Sequence, residues 1–443
     1  MIHRVIAYIA FGLKYPGLIP ITRYVNKAQW LSHDLMKTRQ EQDLINLIAF
    51  AYQNVPYYRQ SFDALSLRPE SIKTVRDLEK LPILNKRIIK DNWADFIPRN
   101  ISRVRYVDRS TSGSTGTPFQ YRWSRLDLEY SLAVIFRGRG LAGYRLGDRL
   151  ASLSTRVAPA KPTIRRTLMD FVVNQRSYSC FNITRERTLQ NFEALNRFKP
   201  EYILSSPLAL SIFSKFVFDN NLKMNFRPKA VFTNGERLFD NQRSEIEKVM
   251  RASVFDFYGL DDGGISAGEC GQRRGFHIDI ERGILEVVND SGEQVINCQG
   301  RILATSLHNF ALPFIRYDTG DLGIVSDQPC PCGRKAPLLQ EIVGRIEGYI
   351  TTPSGVKIHG AVFAGILSNL KGVHQFQVVQ HKPDEVLIKV VPVDSRQIEG
   401  INIDELRNTI AEIDRNLRVT LQLISEEGLE YTKAGKYEFV IRK

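Results

Sequence analysis

An α/β fold in two units of unequal size is what this sequence predicts, and three observations carry it. From about Val104 onward, short β-branched or apolar runs alternate with stretches of helical spacing, the pattern of a sheet with crossover helices. From Gly283 to Val325 that alternation gives way to short strands parted by Asp-Ser-Gly and Asn-Cys-Gln-Gly turns, which predicts an antiparallel or barrel-like subdomain. Beyond Arg345 a compact order of strand, helix, strand, strand, helix and strand forms a second, α+β unit, and 443 residues are more than one hydrophobic core usually organises.

Residues 1–100 read as a mainly helical flank or lid, because apolar positions such as Leu44, Leu47, Ile48 and Ala51 recur at spacings of three and four. Asn54, Val55, Pro56, Tyr57 and Tyr58 interrupt it, since proline removes a donor and restrains the residue before it. The expected order then runs strand 150–153, helix 189–198, strand 202–204, helix 207–218, strand 230–233, helix 242–250 and strand 253–258. A β subdomain over about 264–343 completes the large unit, 1–344, and the small unit spans 345–443 with strands at 355–358, 376–380, 385–392 and 420–424 and helices at 361–370 and 404–416. No internal repeat is evident.

Composition is that of a globular protein, with 43% hydrophobic and 25% charged residues. The formal net charge of +13 favours anionic partners, among them nucleotides, acidic glycans and lipid headgroups. The basic residues are scattered, and no concentrated basic stripe interleaved with aromatics marks a nucleic-acid surface, so no nucleic-acid partner is expected. Five cysteines make no disulfide framework, which fits a reducing, cytoplasmic setting. The apolar run 5–13 is too short to span a bilayer and is followed by Lys14, Tyr15 and Pro16 rather than a cleavage site. It reads as a packed helix, and its basic, aromatic flanks also allow loose attachment at a membrane surface.

The strongest local signal is Thr111, Ser112, Gly113, Ser114, Thr115, Gly116, Thr117 and Pro118, after a strand-like stretch at 104–107. Glycines and hydroxyls this dense make a loop whose N–H groups and side chains can wrap phosphate oxygens. No lysine follows the second glycine, so this is not the loop of the nucleotide kinases.

In order along the chain come Thr233-Asn234-Gly235-Glu236, Phe257-Tyr258-Gly259-Leu260-Asp261-Asp262, Arg316-Tyr317-Asp318-Thr319-Gly320-Asp321, Gly344-Arg345 with Glu347, and Thr432-Lys433-Ala434-Gly435-Lys436. With the Thr111 loop, this set resembles the adenylate-forming superfamily of acyl-CoA synthetases, particularly the phenylacetate–CoA ligase and capsular-polysaccharide-biosynthesis branch, and residues 54–59 and 81–86 resemble that branch as well. The resemblance implies that the Thr111–Thr117 loop grips phosphates and that Asn234, Gly235, Glu236, Tyr258 and Gly259 face the adenine. It implies that Asp262, beside Asp261, holds Mg²⁺, that Asp321 holds the ribose hydroxyls, that Arg345 closes the junction and Glu347 is its hinge acid, and that Lys436 is the catalytic lysine. ATP or AMP, Mg²⁺ and CoA are the implied cofactors, and a small carboxylic acid and an acyl acceptor the implied partners. Two departures stand out: Asp261 replaces the family's threonine, and Phe119 stands where many relatives carry a lysine.

A second constellation is Cys270, His277, Cys330 and Cys332. Four soft or borderline ligands suffice for a closed, structural tetrahedral zinc site, although the spacing is not that of a standard zinc ribbon and reduced free thiols beside a surface histidine are the alternative. Three readings remain open: a two-step ligase, a degenerate scaffold that binds adenylate without turnover, and a zinc-stabilised nucleic-acid-binding protein. Aromatics such as Phe136, Phe181 and Tyr258 would suit an apolar or aryl acid and suit an ordinary core equally well.

Overall fold

The computed structural model describes residues 2–110, 119–154, 164–180, 185–345, 349–355, 357–359, 373–392, 414, 416–430 and 440–442. The chain opens with helices α1 (Ile2–Lys14), α2 (Leu18–Ala28), α3 (His33–Asn54), α4 (Pro56–Ala64) and α5 (Lys86–Asp91). The Ser32 side chain caps the start of α3 by accepting from the Leu35 N–H, and the helix stops where Val55 turns extended ahead of Pro56, the first residue of α4. The expected break at 54–58 is therefore a helix junction. Tyr58 lies buried beneath it, its hydroxyl donating to the Pro313 carbonyl and accepting from the Ile315 N–H. That pair of bonds fastens the helical flank to the segment leading into the Arg316–Asp321 motif.

The apolar run at the N terminus departs from expectation. It is helical, as α1, but Ala7 is its one buried residue, and Ile2, Val5, Ile6, Ile9 and Leu13 face outward. A packed helix would have hidden these side chains; the docked face of α1 is instead its smaller and more polar one.

Strands β1 (Tyr106–Ser110) and β2 (Gln120–Ser124) form an antiparallel hairpin. After α6 (Arg125–Gly140) come β3 (Leu150–Ser154), α7 (Ile164–Val172), β4 (Gln175–Ser179), α8 (Arg185–Phe198), β5 (Tyr202–Ser205), α9 (Pro207–Asp219), β6 (Ala230–Asn234), α10 (Asp240–Met250) and β7 (Ser253–Leu260). Strands β4, β3, β5, β6 and β7 lie side by side and parallel. The central strand β6, Ala-Val-Phe-Thr, is apolar on both faces because helices cover both sides of a parallel sheet, whereas the edge strand β4 is polar.

The sheet does not end at β7. Strands β8 (Ile265–Glu269), β9 (Phe276–Ile278), β10 (Gly283–Val288), β11 (Gln299–Ser306), β12 (Tyr317–Ser326) and β13 (Leu338–Arg345) continue it antiparallel in the order β7-β8-β9-β13-β12-β11-β10. The turns expected between these strands use left-handed backbone at Gly292 and Asn297. A side chain on Gly283, which opens β10, would stand 2.4 Å from the Gly264 carbonyl just before β8, so the far strand returns against the near one. The antiparallel half is thus curled, as the turn-rich stretch predicted.

Past β13 come β14 (Tyr349–Thr351), β15 (Lys357–His359), β16 (Val373–Lys382), β17 (Glu385–Pro392), β18 (Arg418–Leu423) and β19 (Val440–Arg442). The last four form a sheet in the order β18-β17-β16-β19 around Ile350, Val378, Val386, Ile388 and Val390. Strands β16, β17 and β18 match the expected ones at 376–380, 385–392 and 420–424. The strand expected at 355–358 is β15, paired with β14 instead, and β19 was not expected. The expected helices at 361–370 and 404–416 fall outside the described residues, apart from Asp414 and Asn416.

Replacing Tyr58 by Phe strips the Pro313 carbonyl and the Ile315 N–H of their shared partner. The thermal transition is expected to fall by the equivalent of about 1–3 kcal/mol, with the fold retained by circular dichroism.

Candidate active site

The site is assembled where the parallel strands end. In register, Thr233 and Asn234 of β6 stand beside Asp256 and Phe257 of β7, and the Thr233 hydroxyl donates to the buried Asp256 carboxylate at 2.6 Å. Beyond β6 the chain turns through Gly235 at φ +85°, with open space where a side chain would point. Asn234 and Gly235 are exposed and Glu236 is half-buried. Arg237 reaches from this turn to β13, donating to the Val343 carbonyl and to the Glu341 carboxylate at 2.9 Å. Sequence reasoning passed over Arg237, although its place directly after the Asn-Gly-Glu turn was the signal that could have found it.

From the end of β7, half-buried Tyr258 donates its hydroxyl to Asp321 Oδ2 at 2.9 Å. Asp321 in turn pairs across the strands with Arg345 on β13. Three residues from three separate motifs therefore converge. In the sheet order β12 is four steps from β7, which at about 4.8 Å per step would be about 19 Å in a flat sheet. The contact exists because the sheet curls.

The two aspartates after Gly259 part company. Asp262 is buried and accepts from the Tyr317 hydroxyl at 3.0 Å, whereas Asp261 is exposed, 3.8 Å from buried Arg282. Burial pushes the Asp262 carboxyl above its ordinary range, while the positive charge of Lys86 pulls the other way. Lys86 and Tyr317 were not singled out individually from the sequence. Their role follows from Leu84, whose N–H donates to the Arg316 carbonyl while its own carbonyl accepts from the Asp318 N–H. Arg316, left-handed at φ +54° and buried, also donates to the Leu81 and Gly292 carbonyls. Segment 81–86 is thus the physical buttress of the Arg316–Asp321 motif.

The Thr111–Thr117 loop lies outside the described residues, as do Glu347 and Lys436, and of Arg345 only the backbone is described. The hairpin that carries the loop is visible: Ser110 pairs with Gln120 at its neck. Phe119, the first described residue after the loop, is buried and stacks on Tyr317, with Phe314 beside it, so it anchors the loop's root in the core.

On the far side of β8 the four predicted metal ligands meet. Cys270 follows β8, His277 sits in β9, and Cys330 and Cys332 lie on the turn before β13, with all four ligand atoms within 4.8 Å of one another. Cys270 and Cys330 sulfurs are 3.7 Å apart and Cys332 Sγ is 3.3 Å from His277 Nε2. A tetrahedron with Zn–S arms of about 2.3 Å has edges of about 3.8 Å, so the cluster has the size a zinc ion requires. Burial lowers the His277 pKa to about 4, with Arg334 and Arg137 adding to the effect, and a neutral imidazole is the ligating form. Arg334, next to this turn, bonds Gln29 and lies over Trp30, tying the knuckle to the end of α2.

The fold and the converging residues resemble those of adenylate-forming enzymes. Residues 350–443 match the CapK C-terminal domain family. A phenylacetate-coenzyme A ligase of Thermus thermophilus is 25% identical over 427 residues, covering 91% of this chain and 92% of that one. Protein CapK of Staphylococcus aureus is 22% identical over 359 residues, covering 80% of this chain and 77% of that one. The solved 2-hydroxyisobutyryl-CoA ligase, in the postadenylation state with 2-HIB-AMP, has the same fold, with a TM-score of 0.75 at 19% identity over 94% of this chain and 91% of that chain. The chain thus resembles the phenylacetate–CoA ligase and CapK branch of the adenylate-forming enzymes over most of its length, and its residues 350–443 match the CapK C-terminal domain family.

Asp256, beneath the β6–β7 strand ends, has its pKa pushed up to about 7, by burial first and by the Glu269 charge as well. A carboxyl that holds its proton more tightly when folded stabilises the protein most below its unfolded pKa, and that contribution is lost as pH rises from about 4 to about 7. Asp256→Asn removes this titration. The difference in melting temperature between variant and wild type is expected to shift in the variant's favour across that interval, as a pH series of thermal melts will show.

Proposed function

We propose that the protein activates a small carboxylic acid as its acyl-AMP at the expense of ATP, releasing pyrophosphate, and then transfers the acyl group to CoA or another thiol or amine acceptor. The observation that carries this reading is the Tyr258–Asp321 hydrogen bond with Arg345 alongside, formed at the carboxyl ends of the parallel strands. In the first step a carboxylate oxygen attacks the α-phosphorus and the bond to the bridging oxygen of pyrophosphate breaks, its electron pair leaving with pyrophosphate. In the second step the acceptor attacks the acyl carbonyl and AMP departs. Both partners of the first step are anions, so positioning and charge neutralisation are the protein's main contribution.

Asp321 has the chemistry to accept from ribose hydroxyls, with Tyr258 fixing its orientation, and the Asn234–Glu236 turn offers polar groups to the adenine. Asp262 is the candidate for Mg²⁺, whose charge would offset the phosphates. The Thr111–Thr117 hydroxyls would grip phosphate oxygens, and Lys436 would bridge the acyl carboxylate and the α-phosphate. Glu347 would serve as the pivot on which the small unit turns between the two steps. Similarity to CapK supports a place in surface-polysaccharide modification, and five unpaired cysteines support a cytoplasmic setting.

Pyrophosphate release with ATP, Mg²⁺ and a panel of aryl, fatty, amino and hydroxy acids tests the first step. Release is expected with one class of acid, to fall by about 10²-fold or more in Lys436→Ala, and to need on the order of tenfold more ATP in Asp321→Asn. ATP binding with no release from any acid would replace this reading with that of an adenylate-binding scaffold.

The Cys270–His277–Cys330–Cys332 cluster supports a structural zinc ion, closed by four protein ligands with no position for substrate. Metal analysis of protein purified without chelator is expected to find one zinc per chain, and Cys330→Ser to lose it together with thermal stability. Stoichiometric zinc missing from the wild type would remove the assignment.

A further inference from the structure

The N-terminal helix presents the reverse of a soluble helix. Ile2, Val5, Ile6, Ile9 and Leu13, at helical spacing, make one continuous outward stripe, with Ile2, Ile9 and Leu13 being 73%, 58% and 79% exposed. The opposite side is fixed to the body: Ala7 is buried, Phe11 packs on Phe136, and Arg4 pairs with Asp148 at 2.7 Å. Gly147 lies so close that a side chain there would stand 2.6 Å from the Arg4 Cα. The stripe is therefore held in place by the body of the protein. Helix α7 extends it, because Phe171, 68% exposed, meets His3 edge-on and Leu168 is exposed one turn before it.

Charge identifies the occupant. The first acidic residue in the chain is Asp34, so α1 and α2 carry no carboxylate. Asp148 neutralises Arg4, which leaves Lys14, Arg23 and Lys27, and α7 adds Arg165 and Arg166 against one Asp170. Two copies of such a surface would repel each other, whereas anionic lipid headgroups complement it. Helix α1 has 13 residues, about 20 Å against the roughly 30 Å of a bilayer core, and it bends by 108° into α2. Among the described residues no single helix is long and apolar enough to cross a membrane. We propose that the α1 stripe, with Leu168 and Phe171 of α7, docks the protein on an anionic lipid surface, the helix lying in the interface plane with its aliphatic face among the acyl chains and Lys14 at headgroup level.

Flotation of the full chain with vesicles tests this, comparing phosphatidylcholine alone with an equal mixture of phosphatidylcholine and phosphatidylglycerol. Wild type is expected to float with the mixed vesicles, less so at high salt, and Ile9→Glu with Leu13→Glu to lower the bound fraction about tenfold or more while leaving ATP binding unchanged. Leu13→Trp provides a readout independent of whether the charged variant folds: its emission should shift to the blue on adding mixed vesicles. No flotation with either vesicle, equal flotation of the charged variant, or a dimer that this variant converts to monomer without any lipid binding would each overturn the proposal.

Discussion

The structure depends on the curl of one sheet. Parallel on one side of β7 and antiparallel on the other, it must bend back on itself for β12 to reach the carboxyl end of β7, and the Tyr258–Asp321 hydrogen bond records that closure. A flat continuation would leave these two groups on opposite flanks of the molecule. Every other feature of the candidate site, from the Arg237 bridge to β13 to the Asp262–Tyr317 contact, draws on the same bend.

What maintains the bend is distributed. The Tyr58 hydroxyl and the Leu84 main chain bring the helical flank and segment 81–86 against the Arg316–Asp321 motif through bonds to main-chain groups, which specify position without depending on any side-chain charge. Within the antiparallel half, the cysteine and histidine cluster gathers the end of β8, β9 and the turn before β13, where β9 pairs with β13 only through Leu338 with His277 and Leu339 with Phe276 and could otherwise slip in register. A metal there would act as a staple for the half of the sheet that has no crossover helices.

Much of this was legible in the sequence, for reasons that differ by element. Strands β5, β6, β7 and β17 were readable because short apolar runs bounded by turn residues fit a buried strand and little else, and the helix junction at Pro56 because proline has so few conformations open to it. The short strands β4, with its Gln-Arg-Ser-Tyr-Ser sequence, and β9 carry no such pattern, so they went unseen. The metal ligands were legible as one tetrahedral set from their residue types, and the fold brings the four together. Long-range partners were the least accessible: nothing in the order of residues says that Tyr258 meets Asp321, or that Phe119 turns inward to stack on Tyr317. The N-terminal helix was misjudged because hydrophobicity alone cannot say which face of a helix the rest of the chain will cover.

The proposed chemistry turns on a carboxylate oxygen becoming bonded to the α-phosphorus of ATP. Isotope transfer examines this bond itself: the accepted acid, labelled with ¹⁸O in both carboxyl oxygens, is turned over with its acceptor, and the products are weighed by mass spectrometry. Acyl-AMP chemistry predicts one ¹⁸O in the AMP and none in pyrophosphate. Label in inorganic phosphate, with ADP as the nucleotide product, would mean attack at the γ-phosphorus and would contradict adenylate formation.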